Sequence, residues 1–223
     1  LIFPALLLTG LDPRAANVSS TIALFPGQTA AGLAGRRQAT GTPTLSLTAL
    51  VGLSLLGGAL GAVLLLVTPV SIFSALVPWL VLFATVVFAW GSFRRRTVAP
   101  QRPMSRVAAG AIQLLISIYG GYFGGGIGFL MLAALTLSGL ALRNAAATKN
   151  VLAAVMNFSA VVIFLFSPDV AWTQATVVGI ASLLGAQLGA HVLTRVNETA
   201  LRVCILLLGV ALTLGLFLHY HAA

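Results

Sequence analysis

Apolar residues dominate the stretches 49–68, 74–90, 111–119 and 201–218. These reach or approach the roughly 20 residues that an α-helix needs to cross a bilayer. They recur along the whole chain, so the pattern is that of a polytopic protein rather than one anchor on a soluble body. Proline and glycine fall inside the apolar stretches, as they do in membrane helices whose neighbours re-satisfy the freed backbone groups. The period-two alternation of a transmembrane β-barrel is absent. The pattern predicts an all-α fold with crossings at about 16–35, 47–67, 74–93, 146–167, 173–193 and 201–218. Residues 106–123 and 129–140 flank a glycine turn and are expected to form a helical hairpin.

Composition agrees with the pattern. Of 223 residues 59% are hydrophobic and 7% charged, against roughly a quarter charged in a soluble domain. So few charges cannot cover the surface of a soluble fold of this size. The net charge of +9 does not point to nucleic acid, because the basic residues sit in short connectors, where the positive-inside bias places them. Cys204 is the single cysteine and excludes a disulfide framework. No metal site or cofactor is expected.

The chain contains a repeat. Leu8-Thr9-Gly10-Leu11 with Arg14-Ala15-Ala16 resembles Leu137-Ser138-Gly139-Leu140 with Arg143-Asn144-Ala145, and Gly57-Gly58-Ala59-Leu60-Gly61-Ala62 resembles Gly185-Ala186-Gln187-Leu188-Gly189-Ala190. Both matches share one register, with offsets of 129 (Leu8 to Leu137) and 128 (Gly57 to Gly185). Self-similarity at a fixed offset is the mark of an internal repeat. The expected organisation is a first repeat at 1–93, a basic cytoplasmic linker at 94–105 and a second repeat at 106–223. In this register Leu1 pairs with Leu130, so the first repeat is expected to lack a counterpart of 106–129. The chain opens without Met inside an apolar segment, and N-terminal sequence is expected to be missing.

Charge sets the orientation. Arg94, Arg95, Arg96, Arg102 and Arg106 form the strongest basic cluster and are expected in the cytoplasm. Counting crossings from there puts Arg36, Arg37, Arg143, Arg195 and Arg202 inside as well, and the loop 167–171 outside. Arg14 alone falls on the wrong side. The repeat counterparts near Arg36 and the 167–171 loop thus face opposite ways, so the two repeats are expected to be inverted. Inverted-topology repeats are a recurrent build of secondary transporters, with the substrate site between the halves near the bilayer midplane.

The most distinctive chemistry is Tyr119-Gly120-Gly121-Tyr122-Phe123-Gly124-Gly125-Gly126-Ile127-Gly128. Glycine costs about 1 kcal/mol relative to alanine in a continuous helix. A helix break is therefore expected, with a short helix starting near Ile127 whose free N–H groups attract a negative group. Gly124, Gly125 and Gly126 are candidate substrate contacts; the plainer reading is close helix packing. No Gly-Lys-Ser/Thr follows, which argues against a nucleotide loop. Thr148, Lys149, Asn150 and Asn157 form a second candidate group, and Asn150 and Asn157 share a helical face. Lys149 lies about 9 Å inward of Arg143 at 1.5 Å per residue. It supplies a charge to an anion path or snorkels to the interface. Ser19, Ser20 and Thr21 stand at the equivalent depth in the first repeat, and Asn17 and Gln28 are placed with them on a helix kinked by Pro26. The Gly57/Gly61 and Gly185/Gly189 pairs are read as packing faces, and Trp79, Trp90 and Trp172 as interfacial anchors.

The only acids are Asp12, Asp169 and Glu198, all at predicted connectors or helix ends. Without a mid-membrane carboxylate a cation substrate is disfavoured, and with no paired-acid, Ser–His–Asp or HExxH arrangement no enzyme is expected.

At 120–157 the sequence resembles the sulfite exporter TauE/SafE family of membrane permeases. The resemblance rests on the glycine run, on 129–140, and on Arg143-Asn144-Ala145-Ala146-Ala147-Thr148-Lys149-Asn150 with Asn157, followed by Trp172 and the 185–190 stretch. It implies export of a small sulfur oxyanion or organosulfonate, such as sulfite, across a bacterial inner membrane. The expected partners are a small anion and the lipid bilayer, with a homo-oligomer compatible with both. The alternatives are a non-transporting membrane subunit or scaffold, and an anion channel.

Overall fold

The computed structural model describes residues 2–93, 104–193 and 198–222. The predicted basic linker therefore lies almost wholly outside the described residues. Those residues form α1 (Ile2–Leu8), α2 (Pro13–Gly35), α3 (Leu47–Val67), α4 (Val70–Phe93), α5 (Arg106–Tyr122), α6 (Ile127–Leu137), α7 (Leu142–Phe164), α8 (Trp172–Leu193) and α9 (Glu198–Ala222). Every predicted apolar segment is a helix.

Polar punctuation sets the ends that apolar runs leave undefined. The Asp12 carboxylate accepts the N–H groups of Arg14 and Ala15 at 3.0 and 3.1 Å, and Pro13 occupies the first turn, where its missing N–H costs nothing. This cap starts α2 three residues ahead of the predicted 16. Ser46 caps α3 through Ala49 N–H and Ser105 caps α5 through Ala108 N–H. The expected kink at Pro26 leaves α2 helical throughout 13–35.

Among the described residues, Leu47–Val67, Val70–Ser92 and Leu142–Phe164 have both the length and the apolarity to cross a membrane, and Ile127–Leu137 and Val203–Leu218 are shorter apolar helices. At 23 residues α2 has the length. It is more polar because its face at Asn17, Ser19 and Ser20 is buried in the protein.

The helices pack through small residues. On α3, Gly57 lies against Ser117 and Leu114 of α5, Gly61 against Ile118 of α5, and Gly58 against Met156 of α7. A side chain at any of the three would strike the backbone of a neighbouring helix, which is how small-residue faces let membrane helices approach. Gly185 and Gly189 lie on α8, but their surroundings fall outside the described residues. A buried polar staple reinforces the α3–α5 seam: Gln113 Nε2 donates to Ser54 Oγ at 2.9 Å and to Ser117 Oγ at 3.3 Å.

Helices α2 and α7 run antiparallel. Gly32 faces Ala154, Gly35 faces Ala147 and Phe25 meets Phe158, so rising numbers on one meet falling numbers on the other. Both have 23 residues and follow a turn closed by a left-handed glycine, Gly10 (φ 87°) and Gly139 (φ 96°). Their outer ends are tied reciprocally. Ser19 Oγ accepts Ala171 N–H at 2.9 Å, beyond the end of α7. Thr148 Oγ1, 129 positions on from Ser19, accepts Thr40 N–H and donates to Thr40 O, both at 3.0 Å, beyond the end of α2. Arg14 pairs with Asp169, Nε to Oδ2 at 3.0 Å and Nη2 to Oδ1 at 3.1 Å. Its counterpart Arg143 donates from Nε to Gln38 Oε1 at 3.2 Å. Arg14, the one base on the unexpected side, is thus neutralised by its partner and also reaches Thr68 O at 3.2 Å.

Two apolar clusters form the core. One gathers Val18, Leu65, Phe73, Val77, Tyr122 and Phe164; the other gathers Leu50, Ile116, Met131, Leu135 and Leu152. The chain passes from the first to the second through the glycine run between Tyr122 and Ile127.

Candidate anion site at the glycine break

Helix α5 ends at Tyr122, and α6 restarts at Ile127 with Gly126 in the N-cap position. Gly124 and Gly126 hold φ of 76° and 73°, where an L side chain is strained by roughly 1–2 kcal/mol. Gly126 also backs onto α4, where an added Cβ would lie 3.1 Å from Ala84 Cα. Two carbonyls released by the break find side-chain donors: Asn17 Nδ2 reaches Tyr122 O at 2.9 Å and the Tyr119 hydroxyl reaches Gly125 O at 2.7 Å. Phe123 and Gly124 N–H both return to Tyr119 O. The N–H groups of Gly125, Gly126, Ile127 and Gly128 have no acceptor among the described residues. These free donors sit at the start of α6, where a helix N-terminus favours a negative group.

Lys149 of α7 points toward this break. A Cβ built on Gly128 would lie 3.9 Å from Lys149 Nζ. The lysine is half-buried and has no acceptor or carboxylate partner among the described residues. The Lys149 ammonium thus lies beside Gly128 in the first turn of α6, whereas the nearest neighbours of Gly125 and Gly126 are Phe123 and Ala84.

The other candidates are placed differently. Ser19 and Thr148 are fully buried and committed to the reciprocal ties. Ser20 and Thr21 both donate to Asn17 O at 2.9 Å, the usual back-bonding of hydroxyls within a helix. Asn157 is buried and its Nδ2 donates to Ala153 O at 2.9 Å. Asn150 is half-buried with its carbonyl near Gly32, and its side-chain amide has no partner among the described residues. Gln28 Oε1 and Thr29 Oγ1 are buried without a partner. Sequence reasoning missed Tyr119, since nothing in the spacing says that its hydroxyl folds forward onto Gly125. Asn17 was placed with the hydroxyls of α2, whereas it braces the break.

Among the described residues no group of three or more His, Cys, Asp or Glu side chains could hold a metal. Asp12 caps a helix and Asp169 neutralises Arg14, so neither faces the break as a free acid.

Comparison with known proteins agrees with this architecture. The profile described as "Sulfite exporter TauE/SafE" matches residues 1–216. A "Probable membrane transporter protein" of Haemophilus influenzae is 28% identical over 211 residues, covering 94% of this chain and 82% of that protein. A "Probable membrane transporter protein ORF9" of Sinorhizobium is 28% identical over 165 residues, covering 74% of this chain and 63% of that protein. No solved structure matches. With the match running through the broken hairpin and both flanking helix sets, the chain is a multi-pass membrane protein that belongs to the sulfite exporter TauE/SafE family.

Proposed function

We propose that this membrane transporter is a secondary permease that exports a small oxyanion, of the sulfite or organosulfonate class, across a bacterial inner membrane. One observation carries the reading: the unpaired ammonium of Lys149 lies beside Gly128, in the first turn of α6, where the leading N–H groups have no partner among the described residues. Oriented donors and a positive charge in a low-dielectric interior favour a compact anion.

The transport cycle follows from two inverted repeats, 1–93 and 106–223, joined by a cytoplasmic linker at 94–105. The antiparallel α2 and α7, with their matching left-handed glycines and reciprocal ties, support this arrangement. A pseudo-two-fold relation gives each end of the α2–α7 pair one tie of the same kind, so that opening one and closing the other exposes the site to alternate sides. The ties are unequal, ionic at Asp169 and a neutral acceptor at Gln38, so the two ends differ in how readily they open.

The test is flux of labelled sulfite in proteoliposomes, with sulfoacetate, thiosulfate and sulfate as competitors. Saturable flux is expected, and Lys149→Ala should reduce it at least tenfold while the protein remains folded and inserted. A charge-assisted hydrogen bond contributes about 1.5–3 kcal/mol, which sets that scale. Conductance that never saturates would favour the channel. Absence of flux with every anion, from correctly inserted protein, would favour a scaffold, whose support is the small-residue seam of α3 against α5.

A further inference from the structure

A second site lies on the outer face of the α2–α3–α7 layer, away from the glycine break. A groove of about 420 Å³ runs between these helices, within the roughly 300–1,000 Å³ of small-molecule sites. Its walls are apolar, with Phe25 and Leu33 from α2, Leu55 from α3, and Val155 and Phe158 from α7. Several of these open outward: Leu33 is 56% and Phe158 53% exposed. In a chain that spans a membrane, such a face meets lipid.

The groove has one charged end. Arg36, at the C-cap of α2, borders it. Its side chain is exposed and has no carboxylate or hydrogen-bond acceptor among the described residues. From Arg36 to Phe25 the groove follows α2 for eleven residues, roughly 16 Å at 1.5 Å per residue. Half of the roughly 30 Å hydrocarbon core is about 15 Å. The groove therefore spans one leaflet, with its cation at headgroup level and its apolar length at acyl level. A free inorganic anion would leave the apolar walls uncovered. A lipid without a phosphate would leave Arg36 unpaired, and in a zwitterionic one the headgroup's own cation offsets the phosphate.

We propose that this groove is a lipid site, taking one acyl chain of an anionic phospholipid from the leaflet on the Arg36 side, with the headgroup phosphate paired to Arg36. Native mass spectrometry of the purified chain, titrated with phosphatidylglycerol and with phosphatidylcholine, tests it. One phosphatidylglycerol is expected to bind about fivefold more tightly than phosphatidylcholine, the scale of one cation near an anionic headgroup. Arg36→Gln should abolish that preference, weakening phosphatidylglycerol binding more than phosphatidylcholine binding, because the choline cation already offsets the phosphate of the latter. Val155→Trp, which fills the groove, should weaken both lipids. Arg37→Gln should keep most of the preference, because Arg37 does not line the groove. Equal loss in both arginine variants would show general attraction to an anionic surface and overturn the proposal. Equal affinity for the two lipids in the unaltered chain, or a dimer that excludes both, would overturn it too. Circular dichroism and thermal unfolding of each variant separate these outcomes from misfolding.

Discussion

At the scale of single residues, the site depends on backbone shape before it depends on charge. Gly126 sits at φ 73° with α4 behind it, so Gly126→Ala combines left-handed strain with a contact at 3.1 Å. The expected loss is roughly 1–3 kcal/mol of stability, read as a lower thermal midpoint in detergent, together with reduced flux. Gly27 supplies the control. It lies in the interior of α2 with nothing within 4 Å of an added Cβ. Gly27→Ala should therefore be neutral, or stabilising by up to about 1 kcal/mol. Equal destabilisation by both variants would mean that the conformation at 126 is not what matters. The glycine run and Lys149 were legible from sequence because an interrupted helix and a cation in an apolar segment are both costly. The braces of the break were not, since Tyr119 and Asn17 look like ordinary helical residues until Tyr119 folds onto Gly125 and Asn17 reaches Tyr122 from another helix.

At the scale of helices, apolar length predicts where each element lies, and polar caps set the starts of α2, α3 and α5. Helix α3 begins and ends at its predicted limits of 47 and 67, whereas α2 and α7 start earlier, at Pro13 and Leu142. Both are preceded by a glycine turn and carry an arginine in the first turn, so the apolar pattern begins inside each helix rather than at its end. The hydroxyls read as substrate contacts show the limit of such reasoning. Depth along a helix places Ser19 and Thr148 well inside the protein, but only the packing of α2 against α7 reveals that each ties the loop following the other helix. The arginines of these two helices give a test at this scale. The Arg14–Asp169 pair is mostly buried, with 19% and 18% of the two side chains exposed. Asp169→Asn removes the charge that compensates Arg14 and should destabilise by about 1–3 kcal/mol. Gln38→Ala deletes an exposed neutral acceptor and should change stability by no more than about 0.5 kcal/mol. Thermal unfolding in detergent reads both, and exchanging the pair as Arg14→Asp with Asp169→Arg should recover part of the loss. Equal effects of Asp169→Asn and Gln38→Ala would remove the asymmetry on which an ionic latch depends.

At the scale of the whole molecule, orientation turns on which charges count. Positive-inside bias acts on bases that must be solvated by one side or the other, and Arg14 is not such a base, because Asp169 and a backbone carbonyl already hold it. With Arg14 set aside, the positive-inside reading puts the basic connectors on one side of the membrane, and the loop after α7 carries no base of its own. The end of α2 and the end of α7 should then open to opposite sides of the membrane, as their antiparallel packing requires. Cysteine labelling decides it. In a Cys204→Ser background, Phe166→Cys introduces a thiol at a position that is 86% exposed, beside the end of α7. It should react with an impermeant maleimide in intact cells. Arg37→Cys, exposed beyond the end of α2, should react only after the cells are permeabilised. Labelling of both from the same side would break the inverted-repeat reading, and with it the argument that the two ties close opposite ends of one path. Labelling from opposite sides would leave the break of α5 and α6 between two oppositely facing exits, the arrangement that the proposed route past Lys149 and the free N–H groups requires.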